Sequence, residues 1–116
     1  MSNPTLYASG TQLAVIGTEH VLSDVNVSGT FVIELNTVNM QAGDVVVFRI
    51  YAITLTGGTR RGAYIMTYYG VQTVDDIQKI SLPIGNDLTD AGSLEFTLQQ
   101  TFGTGRNFDW KILQYT

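Results

Sequence analysis

The chain is 116 residues long, with 14% charged residues, a net charge of −4 and no cysteine. That length holds one domain with one core, and the absence of cysteine excludes disulfides, thiolate metal sites and cysteine nucleophiles. Six basic residues stand against ten acidic ones, so free nucleic acid is not an expected partner, because phosphate binding needs clustered Lys and Arg.

The first ten residues, MSNPTLYASG, read as an extended N-terminal arm. Pro4 disfavours helix there, and Tyr7 is free to pack on a neighbour. The arm lacks the basic start and apolar run of a signal peptide, so synthesis in the cytosol without export by that route is expected. Residues 11–116 read as a single β domain. Thr11 to Ile16 is a short apolar strand ended by Gly17. Glu19 to Val27 alternates weakly, as an edge or bulged strand does. Thr30 to Leu35 alternates cleanly, with Phe31, Ile33 and Leu35 inward. Asn36 to Gly43 is a loop with room for one helical turn at Val38 to Gln41.

Asp44 to Thr56 is rich in Val, Ile, Phe and Tyr, which suit a pleated, half-buried surface. Val46, Phe48, Ile50 and Ala52 share one face. The other face is also mostly apolar, which predicts a central strand covered on both sides by a second sheet or a partner chain. Its runs are too short and too interrupted to span a membrane. Gly57-Gly58 supplies a turn, and Arg60 to Tyr69 returns as the second arm of a hairpin.

Ile77 to Leu82 alternates again, and Pro83 ends it or marks an edge position. Gly85 to Gly92 is a polar loop. Leu94, Phe96, Leu98, Gln100 and Phe102 form the next inward set. Gly103-Thr104-Gly105 then reads as a hairpin turn into a last strand, Arg106 to Tyr115, with Phe108, Trp110, Ile112 and Gln114 on one face. About eight short strands with Gly-rich turns and little or no helix predict an all-β, antiparallel β-sandwich or jelly-roll-like fold. Two long hairpins, 44–69 and 93–115, are expected to nucleate the two sheets, while strand order stays open. The expected core is Phe31, Ile33, Leu35, Val46, Phe48, Ile50, Ile65, Ile80, Leu94, Phe96, Leu98, Phe108, Trp110 and Ile112.

Catalytic signals are absent from this pattern, and no enzyme activity is expected. His20 is the only histidine, and its neighbours Ser23 and Asp24 lie on the same strand, which cannot build a triad. Asp75-Asp76 and the GNDLTD loop (Asp87, Asp90) lack EF-hand spacing and read as turn formers. GTGR at 103–106 opens a strand, so no helix N-terminus is offered to a phosphate. No cofactor and no metal are expected. Tyr64, Tyr68 and Tyr69 are aromatic surface candidates for stacking on a sugar or a subunit.

The segments AGDVVVFRIY (42–51), LTGGTRRGAYIMTYYGVQ (55–72) and ISLPIGNDLTDAGSLEFTLQQTFGTGRNFDWKIL (80–113) resemble small all-β virion structural proteins of tailed bacteriophages. Among these the chain looks most like capsid decoration, or cement, proteins. The likeness covers about two thirds of the chain and is one of size, turn content and low charge. It implies a non-enzymatic protein on the outer capsid surface, made in the host cytoplasm, that stabilises the shell. Its implied partners are the major capsid protein and copies of itself, most often as a trimer, with no nucleic acid and no membrane. Expected contacts are Asn3, Pro4, Leu6 and Tyr7 of the arm and Arg60 and Arg61 of the hairpin tip. A tail or head–tail connector component and a carbohydrate-binding module are the alternatives.

Overall fold

Alternating apolar side chains fold this chain into strands that turn one face to the core. The structure, a computed structural model, describes residues 4–115. The strands are β1 (Thr5–Leu13), β2 (Glu19–Val25), β3 (Gly29–Asn36), β4 (Val45–Ala52), β5 (Arg61–Tyr69), β6 (Gln78–Ile80), β7 (Ile84–Asn86), β8 (Leu94–Phe102) and β9 (Asn107–Tyr115). Val74–Asp76 makes one 3-10 turn, and no α-helix occurs among the described residues. Residues 38–39 form a simple turn, not a helical one.

One sheet has the order β1-β9-β3-β6, with β7 also paired to β3; the other has the order β2-β8-β4-β5. All pairings are antiparallel. The chain crosses between sheets at every connection except the β4–β5 hairpin and the step from β6 to β7. This is the all-β sandwich expected from the alternation, with the strand order of a jelly roll. β6 and β7 share one strand's place on the edge of β3. The chain leaves that edge at Ser81 to Pro83, where proline has no N–H to offer. The Ser81 hydroxyl accepts from Ile33 N–H at 3.0 Å there.

The core lies between the sheets. Phe31, Ile33 and Leu35 of β3, with Phe108 and Ile112 of β9, face Val46, Phe48 and Ile50 of β4 and Leu94, Phe96 and Leu98 of β8. Val25 and Met40 complete it. Buried polar groups knit its two ends. Ser93 donates to Val25 O and accepts from Asn86 at one end. Gln100 and Asp44 hold the backbone at the other.

The structure corrects several expectations. The 93–115 segment is not a hairpin: β8 pairs with β2 and β4, whereas β9 pairs with β1 and β3. Gly103-Thr104-Gly105 is therefore an arch over the edge of the core. Both strands have strongly apolar inner faces, and crossing the sandwich lets those faces meet each other. Thr5 to Gly10 is not a free arm, because it is the first part of β1 and hydrogen-bonds along β9. The single domain thus takes in most of the predicted arm.

Ile65 and Ile80 are not core residues, being 60% and 62% exposed. Ile65 faces outward from the edge strand β5. On β6 the inward side chain is Lys79, opposite Leu35. Its ammonium reaches Asp76 at 2.7 Å and lies 4.8 Å from the centre of the Tyr68 ring. Trp110 is only partly buried. It lies against Gly10 of β1, where an added Cβ would meet its Cζ2 at 3.3 Å.

Candidate functional site

Directly opposed residues in an antiparallel pair point to the same face, so the register assigns the outer face of the β2-β8-β4-β5 sheet. β4 contributes Val45, Val47, Arg49 and Tyr51 there, since Val46, Phe48 and Ile50 are in the core. Opposite them stand Tyr69, Thr67 and Ile65 of β5 and Phe102, Gln99, Thr97 and Glu95 of β8. The face divides into a polar half and an apolar half.

The polar half satisfies itself. Glu19 Oε2 accepts from the Tyr51 hydroxyl at 2.6 Å and the Thr97 hydroxyl at 2.7 Å, with Arg49 Nη1 at 3.8 Å. Burial pulls the Glu19 carboxyl up, but the two hydroxyls and the Arg49 charge outweigh it and hold it below its ordinary range. Arg49 also donates to Gln99 Oε1 at 2.9 Å.

Beside this group, Arg60 Nη2 sits 3.1 Å from Glu95 Oε2, and its Nη1 lies 3.9 Å from Asp24 Oδ1. Glu95 is 7% exposed. Burial and a hydrogen bond with Asp24 push its carboxyl up to about 7, against the pull of Arg60. Glu19, Val21, Tyr51, Arg60, Glu95 and Thr97 line an open depression.

Among the described residues, no other segment packs over the apolar half. Phe102, Val45 and Tyr69 stand in one row across β8, β4 and β5. Phe102 is 66% exposed and Tyr69 is 70% exposed. Phe102 was expected inward with Leu98 and Gln100. A bulge between Val45 and Val46 makes Thr101 an extra residue, and this flips Phe102 to the outside. Sequence alternation misses such a flip; the nearest signal is Gly103, which marks the strand's end. Val47, itself buried among its neighbours, Thr67 and the exposed Ile65 continue this half toward Arg49.

The expected contact residues do not form one surface. Asn3 lies outside the described residues. Pro4 is exposed just before β1. Leu6 is 61% exposed, but it faces outward beside Leu113 on the other sheet, across the sandwich from Phe102. Tyr7 turns inward at a bulge in β1 and meets Phe31 edge-on, with ring centres 5.3 Å apart. Arg60 is engaged by Glu95 and Asp24, while Arg61 is exposed at the start of β5. The three tyrosines do not make one platform. Tyr64 packs edge-on against Phe48 and Tyr68 covers Lys79, both on the core side; Tyr69 points the other way.

His20, Asp76 and Asp90 have structural partners: Asp76 pairs with Lys79. His20 Nε2 accepts from Val15 N–H at 3.0 Å, and Asp90 accepts from Gly57 N–H at 2.9 Å. The chain matches no family profile, no curated protein and no solved structure.

Proposed function

We propose that the protein is a non-enzymatic structural component of a virion, bound to the outer surface of the capsid shell and stabilising it. The supporting observation is the uncovered apolar row of Phe102, Val45 and Tyr69 beside a polar field whose groups already have partners. Monomeric surfaces rarely leave large apolar side chains contiguous unless another surface covers them. The low charge of the chain, 14%, fits burial against a lattice, since interface cores are poor in charge. The jelly-roll architecture occurs in viral capsid proteins and in lectins, which is an analogy of fold.

In this reading the partners are the major capsid protein and further copies of the chain. Binding only the assembled lattice stabilises the lattice by mass action, and repeated contacts add avidity. The outer face of the β2-β8-β4-β5 sheet replaces the N-terminal segment as the contact, because β1 is committed to its own sheet. Co-sedimentation with assembled capsids tests this. The wild-type chain is expected to pellet with shells at hundreds of copies per particle, and Phe102→Asp to lose occupancy while keeping its circular dichroism. Unchanged occupancy of Phe102→Asp would sink the assigned face. A few copies or a dozen per virion would point to a tail or connector role.

A further inference from the structure

β5 is an edge strand, hydrogen-bonded on one side by β4 and by no other strand among the described residues. Natural edges are blunted by Lys, Pro or inward charges. From Gly62 to Val74 this chain has none of these: no charged residue and no proline. A bulge at Ala63 disturbs the start of the edge, which leaves Tyr64 to Tyr69 as its regular part. Its outer face carries Ile65, 60% exposed, and Tyr69, 70% exposed, on either side of Thr67.

We propose that β5 pairs antiparallel with β5 of a second copy, about a two-fold axis through Thr67, joining the two β2-β8-β4-β5 sheets into one. An unpaired row of backbone N–H and C=O groups is best met by another strand, and the pattern about Thr67 specifies which strand. In this register each Ile65 stands opposite Tyr69 of the other copy, twice over, and Thr67 faces itself. Aromatic and β-branched side chains make favourable cross-strand pairs. The absence of charge means that no like charges meet. Centring the axis on Ile65 would instead set Tyr69 against Arg61 across the bulge.

The contact is isologous and closes at two copies, so it does not by itself build a three-fold ring. It stands independently of whether the protein binds a capsid.

The test uses the purified full chain. Light scattering is expected to give twice the 12.7 kDa chain mass. Ile65→Lys is expected to raise the dimer dissociation constant by on the order of tenfold or more, with unchanged circular dichroism. Thr67→Cys adds the only thiol to a cysteine-free chain. Directly opposed Cα atoms lie about 4.5–5.5 Å apart, within disulfide reach. Oxidised glutathione should therefore convert this variant to a covalent dimer. A monomeric or trimeric mass would overturn the proposal, as would a dimer in which Thr67→Cys fails to cross-link.

Discussion

The Nε of Arg106 donates to Oδ2 of Asp44 at 2.8 Å, across the arch that carries the chain from one sheet to the other. Asp44 is 1% exposed. The same carboxylate accepts from Gln41 N–H at 2.8 Å and from Thr104 N–H at 3.3 Å. Burial raises its pKa, yet the Arg106 hydrogen bond and the backbone donors outweigh that and hold it below the ordinary carboxylate range. Gly103 makes this close approach possible. Its φ is +92°, and a Cβ there would run into the Asp44 carboxylate.

Asp44→Ala removes the acceptor for three donors and leaves the Arg106 charge half-buried without its partner. Breaking a buried pair from one side costs about 3–5 kcal/mol. Urea denaturation should show a loss of that order, with the part-exposed Arg106 drawing it toward the lower end. Gly103→Ala should also destabilise, while Gly43→Ala, a positive-φ site with open space around it, should cost less.

Phe96 and Phe102 lie on the same strand with the same sequence parity, but the bulge at Thr101 separates them. Phe96 is fully buried and Phe102 is 66% exposed. Phe96→Ala is expected to cost about 3–5 kcal/mol. Phe102→Ala should stay within about 0.5 kcal/mol. Equal losses in a thermal melt would contradict the outward placement of Phe102.

Acidification from pH 7.5 to 5.5 should raise the melting temperature. The Glu95 carboxyl is pushed up to about 7 from an ordinary 4.5, so between those pH values the folded state binds more protons than the unfolded state. Stability therefore falls as pH rises through that window. Glu19 and Asp44 shift the other way. Their contribution is present above their unfolded values and is lost only as pH falls further. Glu95→Gln should flatten the slope between pH 5.5 and 7.5; an unchanged slope would assign it to another group.

Deleting residues 1–9 should lower stability and cooperativity. The deletion removes Thr5 to Ser9 from β1, strips part of the β9 edge and takes Tyr7 off Phe31. A truncated chain that melts like the full one would show that this part of β1 contributes little.

Much of the fold was legible because alternation is a local property. The inward faces of β3, β4 and β8 were readable from Phe31, Ile33, Leu35, Val46, Phe48, Ile50, Leu94, Phe96 and Leu98. Pro83 correctly marked an edge, where β6 gives way to β7 on β3. The weak alternation of β2 matched a bulged edge strand. The candidate site was far less legible. Phe102 became a surface residue through a one-residue register slip. Arg60 found Asp24 and Glu95 through pairings that sequence distance conceals. Tyr7 turned toward the core through a bulge of its own.

Side-chain parity and turn chemistry act over a few residues, so an all-β sandwich, the strands that carry core faces and a surface poor in charge are all readable along the chain. Tertiary structure decided which strands pair, and so decided that 93–115 is an arch between sheets and that β5 is an open edge. It also decided that the apolar row of Phe102, Val45 and Tyr69 faces outward. Pairing partners and bulges are settled by how two apolar faces best exclude water together, and no single strand carries that information alone.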